Sequence, residues 1–311
     1  MPLPFSNFVL MKKENTPIKV ASISDLNQIL GLPKPKHPLI TVFRFESAPK
    51  YIGSMVIGVY CIAIKKGIGK FKYGQRYYDY DSGVMSFFSP NQVLTHEEGE
   101  SQTIDGGIAL NFHPDFLSGY PLAKSIKNYG FFSYELNEAL HLSEQEEAII
   151  ENIFKNIEQE YQSNIDQFSQ DVIIAQIELL LQYSNRFYNR QFITRKPGND
   201  ELLIRLENIL TDYFSSEAVS VSGLPSVQFV SEQLNVSPNY LSDMLRSSTG
   251  QTTQQHIHGK LIDKAKELLT TTNLSVSEIA YQLGFDYPSS LNKLFKKKTE
   301  ISPSEFRQSF N

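Results

Sequence analysis

The 311-residue sequence has a single cysteine, Cys61. Neither a disulfide framework nor a zinc site of paired cysteines is therefore available. Cys61 lies in the apolar run VIGVYCIAI, the setting of a buried structural thiol rather than a reactive one. No run approaches the ~18 apolar residues needed to span a bilayer. The opening MPLPFSNFVLMKKENT lacks a basic stretch followed by a sustained apolar core. These absences predict a soluble, cytoplasmic protein without membrane partners. Basic charge is also scarce: 29 Lys and Arg face 34 Asp and Glu, a net charge of −5. Coating of nucleic acid by bulk electrostatics is thereby excluded, and any basic surface has to be local. The tetrapeptide GIGK has neither the spacing nor the following Ser or Thr of a phosphate-binding loop, and no nucleophile elbow is present.

What is there changes period part-way along the chain. From about 38 to 112, β-branched and aromatic runs (LITVFRF, MVIGVYCIAIKK, GVMSFFSPNQV, GGIALNF) are broken by Gly, Pro, Asp and Asn. Short strands at this spacing predict an antiparallel barrel or sandwich. From Ser143 the period becomes helical: Ile149, Ile150, Ile153, Phe154, Ile157 and Tyr161 share one face, and Ser143 with Glu146 forms a capping-box signature. A second helix, about 169 to 189, carries the stripe Val172, Ile173, Gln176, Ile177, Leu180, Leu181 and Ser184, which packs on the β domain or on its twin in a second subunit. TRKPGND, residues 194–200, has the composition of a linker. The expected division is 1–193, a β domain followed by helices; 194–200, a linker; and 201–311, an all-α domain.

Within the last third a short pattern occurs twice. Val227, Val230, Leu234 and Val236 match Val276, Ile279, Leu283 and Phe285. After a one-residue slip in the turn, Leu241 and Leu245 match Leu291 and Phe295. Each copy is a short amphipathic helix, a tight turn at Asn235 or Gly284, and a second helix, which is a helix-turn-helix by pattern. The units fall at about 226–247 and 276–297. Between them 252–270 reads as one helix, about 30 Å long, against ~34 Å between successive major grooves on one face of B-DNA. One chain would thus touch two adjacent grooves.

These residues carry a family resemblance. VSEQLNVSPNYLSDMLRSSTG, KLIDKAKELL and SVSEIAYQLGFDYPSSLNKLFKKKTEISPSEFR resemble the DNA-binding domain of the AraC/XylS family of bacterial transcription regulators. The upstream part resembles the family's cupin-like regulatory domain more loosely. The implied fold is α+β in two domains: a cupin-like β-barrel followed by helices, then an all-α domain with two helix-turn-helix units joined by a long helix. Lys260 stands where the family usually has arginine, Leu245 and Leu291 where it often has phenylalanine, and Glu300 where glycine is usual. A left-handed cap at Glu300 costs more without glycine.

With Leu241 and Leu245 inward, the first recognition helix presents Asn239, Tyr240, Ser242, Asp243 and Arg246. The resemblance implies base reading by Asn239, Ser242 and Asp243 in the first unit and by Ser289, Asn292 and Lys293 in the second. Asn can bridge an adenine edge, Lys can reach guanine acceptors, and Asp can accept from cytosine. Arg246, Lys296, Lys297 and Lys298 suit phosphate, which sets register without reading sequence. From Ser222 onward nine Lys or Arg meet eight Asp or Glu, so one monomer should bind weakly and a homodimer on paired half-sites is expected. The helix at 169–189 is the candidate interface. The resemblance further implies an activator with promoter DNA and RNA polymerase as partners, and a small-molecule effector held in the β domain. No cofactor and no metal is expected.

Two rival readings remain. A metal-dependent cupin enzyme needs converging His and carboxylate ligands, but GKFKYGQRYYDYDSG has no histidine, and His37, His96, His113 and His141 are scattered. His256 and His258 are two apart on a helix and diverge. Tyr77, Tyr78, Tyr80, Phe87 and Phe88 could line an apolar pocket, although aromatics in alternating strands are more often core. A helical protein-interaction module that does not bind DNA is the other reading, favoured by Asp243 on the reading surface and opposed by Lys296 to Lys298.

Overall fold

The computed structural model describes residues 17–46, 53–66, 72–73, 76–77, 83–96, 106–135, 138–163, 166–194, 196–216 and 218–309. The chain divides into two units, Met1–Gln191 and Phe192–Asn311. The first contains β1 (Ile18–Val20), α1 (Ile23–Ile29), β2 (Ile40–Phe45), β3 (Gly53–Ile57), β4 (Tyr60–Lys66), β5 (Lys72–Tyr73), β6 (Arg76–Tyr77), β7 (Val84–Phe88), β8 (Gln92–His96) and β9 (Gly106–Phe112), then α2 (Leu122–Ser125), β10 (Leu140–His141), α3 (Glu144–Gln162) and α4 (Ser169–Thr194). Three short 3-10 turns lie between β9 and β10. The run MVIGVYCIAIKK is split into two strands at Gly58, whose N–H donates to Val20 O at 2.8 Å.

Strand order in the larger sheet is β10-β7-β4-β9-β2, antiparallel throughout; a smaller sheet runs β1-β3-β8, with β1 parallel to β3. Among the described residues both sheets are open, with β2 and β10 at the edges of the larger one, so the strands do not close into the expected barrel. The strand pattern alone could not decide this, since alternation fixes which face is buried and leaves edge closure to the loops. Of the aromatic set proposed to line a pocket, Tyr78 and Tyr80 lie outside the described residues. Phe87 and Phe88 do line a small pocket with Phe131 and Tyr188, and Phe87 is also buried, 4.5 Å from Phe131 between ring centroids.

The larger sheet has two unlike faces. One carries Ile40, Val42, Ile62, Ile64, Met85, Phe87, Ile108, Leu110 and Phe112, all buried. Helix α3 anchors on this face: Arg44 on β2 pairs with Glu158 at 2.8 Å, and Lys66 on β4 pairs with Glu147 at 3.0 Å and with Glu151. The capping box at Ser143 and Glu146 starts α3, which buries Ile150, Ile153, Phe154, Ile157 and Tyr161. Of the α4 stripe, Ile173, Ile177, Leu180, Leu181 and Ser184 are buried while Val172 stays exposed, as does Leu179 beside it.

The second unit is helical: α5 (Lys196–Ser215), α6 (Ala218–Ser222), α7 (Val227–Leu234), α8 (Pro238–Thr249), α9 (Thr253–Thr271), α10 (Val276–Gln282), α11 (Pro288–Thr299) and α12 (Pro303–Gln308). The segment read as a linker is helical from Lys196, because proline and glycine in a first turn do not break the hydrogen-bond ladder. Helix α6, of sequence AVSVS, is too short and too β-branched to show in the sequence.

The repeat survives as backbone geometry. Asn235 ends α7 with φ 55°, and its counterpart Gly284, just past α10, has φ 79°. Gly250 ends α8 with φ 75° and Glu300 ends α11 with φ 68°, each donating its N–H to a carbonyl four residues back, of Arg246 and of Lys296. Thr249 and Thr299 both donate to carbonyls four residues earlier, at 2.8 Å. Leu241, Leu245, Leu291 and Phe295 are all fully buried, each contributing roughly 1.5–3 kcal/mol. Helix α9 packs against α5, α8, α10, α11 and α12, burying Ile257, Leu261, Ile262, Ala265, Leu268 and Leu269.

Two substitutions at these left-handed positions should move stability in opposite directions. A Cβ on Gly284 would lie 2.7 Å from Val219 O and 2.9 Å from Gly223 Cα. Gly284→Ala therefore adds a clash to a strain of about 1–2 kcal/mol. Glu300→Gly relieves the strain and should stabilise by about 0.5–1 kcal/mol. Urea denaturation followed by helical circular dichroism measures both; equal effects would show that the turns are not strained.

Candidate nucleic-acid interface

Each second helix of the repeat begins at proline. Ser237 caps α8 by accepting from Tyr240 N at 3.3 Å, whereas Tyr287 precedes Pro288 of α11 without a side-chain cap. The caps fix how the first turn of each helix meets solvent, where reading residues must lie.

On α8, Asn239 is exposed. Ser242 is half-buried and its hydroxyl lies 3.0 Å from Thr253 Oγ1, so it ties α8 to the start of α9. Asp243 pairs with Arg246 at 3.0 Å across one turn. A surface pair of this kind contributes 0–1 kcal/mol, so Arg246 can exchange the carboxylate for a phosphate. Tyr240 is not on the outward face: it is buried, with its ring 5.3 Å from that of Phe192. The helical period allowed either placement at the edge of the apolar stripe, and a large ring wins more by burial than by exposure.

On α11, Ser289, Asn292 and Lys293 are exposed, as are Lys296, Lys297 and Lys298 in the last turn. Lys297 and Lys298 lie close enough to α9 to act on its histidines. His258 is held below its ordinary range by burial, then by Lys298 and Lys297. His256 is lowered by burial and by Lys298, against the opposing pull of Glu207; its Nε2 lies 2.9 Å from Thr249 Oγ1. This junction of α11 with α9 was invisible in the sequence, because no local period links residues so far apart. Lys260, in place of the usual arginine, faces Glu207 at 3.7 Å. Among the described residues no group of three His, Cys, Asp or Glu could hold a metal ion. No helix of the described residues is long and apolar enough to cross a membrane.

The Helix-turn-helix domain family matches residues 230–309, from the end of α7 through α12. The C-terminal domain of the two-component response regulator yesN from Fusobacterium nucleatum is 32% identical, with 33% of this chain and 93% of that one covered, at a TM-score of 0.29. The chain belongs to the AraC/XylS family. The C-terminal domain of AraT, a response regulator from Geobacillus stearothermophilus, is similar to this AraC/XylS chain at 30% identity over 35% of this chain and 84% of that one, with a TM-score of 0.31. The HTH-type transcriptional activator RhaS of Salmonella paratyphi B is 29% identical over 140 residues, 45% of this chain. The chain spans 46% of that relative's length.

The lowered histidines predict a pH effect on stability. Both prefer the neutral form when folded, so the unfolded chain takes up protons first as pH falls below about 6.5. Their contribution is complete above that value and is lost as pH falls toward the depressed folded values. The melting temperature of His258→Gln should therefore fall less steeply below pH 6.5 than that of the wild type. Parallel profiles would place His258 outside the linkage.

Proposed function

We propose that this AraC/XylS-family chain is a transcription regulator, an activator, that reads promoter DNA through two heads carried on α9. The supporting observation is the duplication itself: two helix-turn-helix units with matched left-handed turns, both packed on one helix of 19 residues. Such a helix is ~28 Å long, close to the ~34 Å repeat of the major groove. Asn239, Ser242 and Asp243 read bases in the first head, and Ser289, Asn292 and Lys293 in the second. Arg246, Lys296, Lys297 and Lys298 hold phosphates. The name of the Salmonella relative supports the activating sign, and RNA polymerase is the corresponding partner.

With a net charge near zero from Ser222 onward, one copy binds weakly, so the active species is a homodimer in the cytoplasm. Phe168, Val172, Leu179 and Ile193, exposed apolar residues of the α4 region, are what remains for a partner. The N-terminal unit serves as a cupin-like sensor of a small effector rather than as an enzyme. The shallow pocket lined by Ser86, Phe87, Phe88, Phe131, Tyr134 and Tyr188 has room for no more than about one water molecule, so the effector is not placed there.

Fluorescence anisotropy of the full chain on labelled promoter fragments at two salt concentrations tests the reading. Affinity should fall steeply with salt. Asn292→Ala and Lys293→Ala should each cost about 1–3 kcal/mol on the preferred sequence and relax its selection. Lys298→Ala should weaken all sequences alike and reduce the salt slope by about 1. Absent or salt-insensitive binding would instead support the protein-interaction module.

A further inference from the structure

The two heads begin their second helices differently. In the first, the turn runs Asn235, Val236, Ser237, Pro238; in the second it runs Gly284, Phe285, Asp286, Tyr287, Pro288, one residue longer. Proline opens both helices, so Ser237 and Tyr287 hold the same N-cap position. Ser237 is 5% exposed and its hydroxyl accepts from Tyr240 N. Tyr287 makes no such bond and is 70% exposed. A serine at this position stabilises a helix start and a tyrosine does not, so the second head forgoes stability that the first one keeps.

The ring gains nothing from the core in exchange. Tyr287 lies one turn before Leu291, itself one turn before Phe295, and both of those are fully buried. A helical residue at 287 would continue that stripe inward. The extended backbone, with φ −132° and ψ 125°, takes it off the stripe, while its carbonyl still accepts from Ser290 N at 2.9 Å. Asp286, Ser289 and Ser290 around it in sequence are exposed as well. The ring is therefore neither cap nor core, and it stands at the N-terminal end of a reading helix, the end that meets base edges in a helix-turn-helix.

Asp286 decides what the ring can meet. A carboxylate one residue away repels phosphate, and a phenol ring brings no positive charge to offset that repulsion. The uncharged base edges suit it better, and in the major groove the apolar feature they offer is the C5-methyl group of thymine. We propose that Tyr287 is a specificity-determining residue of the second head, whose ring packs on a thymine methyl beside the bases read by Ser289, Asn292 and Lys293. It selects thymine by apolar burial rather than by hydrogen bonding. The inference rests on the DNA binding proposed above and adds to it a contact of a different chemical kind. The first head has no counterpart, because Ser237 is spent on its cap.

Fluorescence anisotropy of the full chain provides the test, on a labelled promoter fragment and on the same fragment with uracil in place of every thymine. Uracil keeps the hydrogen-bonding edge and lacks only the methyl. Tyr287→Ser should weaken binding to the thymine fragment about four- to tenfold, the loss of an apolar contact of one to two methyl groups, and to the uracil fragment by less than about twofold. Tyr287→Phe should bind both fragments as the wild type does, since the ring makes the contact and the hydroxyl does not. Without DNA, Tyr287→Ser should melt about 2–4 °C above the wild type, because serine restores the cap. A merely structural tyrosine would give the opposite sign. Equal losses on the two fragments, a Tyr287→Phe variant as weak as Tyr287→Ser, or a Tyr287→Ser variant that melts below the wild type would each overturn the proposal. Salt-dependent binding by the wild type with none of it lost in Tyr287→Ser removes this contact and leaves the regulator; no binding by the wild type removes both.

Discussion

The second unit depends on one packing constraint: a two-helix unit of some twenty residues cannot bury its own apolar stripe. Each copy of the repeat has only a handful of large apolar side chains, too few to offset the chain entropy of ordering it. Helix α9 resolves this by offering apolar residues to both copies, packing against α8 of the first and against α10 and α11 of the second. The helix that supplies the missing core also fixes the distance between the heads. Stability and reading geometry therefore share the same atoms, Ile257, Leu261, Ala265 and Leu268 among them.

That sharing explains the pattern of left-handed residues. A tight turn between the helices of each unit has to aim the second helix outward while returning the chain to α9. Asn235 and Gly284 meet that demand with residue types that enter the left-handed region at low cost. At the second stop Gly250 does the same, whereas Glu300 adopts the same conformation against its preference. The carbonyl of Lys296 still receives its hydrogen bond, so the fold overrides the local preference and the second head carries the strain.

In the first unit the organising fact is the unlikeness of the sheet's two faces. The face toward α3 is closed by large aliphatic and aromatic side chains and tied by ion pairs at its rim. The other sets Phe43 and Phe45 on small residues and is partly polar, with the Ser86 hydroxyl and Asn111 amide nitrogen unpaired. Ser86 and Asn111 are kept under cover there although each favours water over an apolar surround.

The sequence by itself determined the repeat, its tight turns, most helix boundaries beyond 226 and the outward set of α11. These depend on local period, capping and turn chemistry, which act over three to five residues. Only the tertiary structure decided that Tyr240 turns inward, that Lys196 to Asp200 are helical, and that the described strands stay in separate open sheets. It also decided that Lys298 acts electrostatically on His256 and His258, and that Ser86 and Asn111 are buried on one face of the larger sheet. The physical reason is the same in each case: periodicity assigns a residue to a face, but what that face meets is set by elements far away in the chain, whose distance leaves no mark on local pattern.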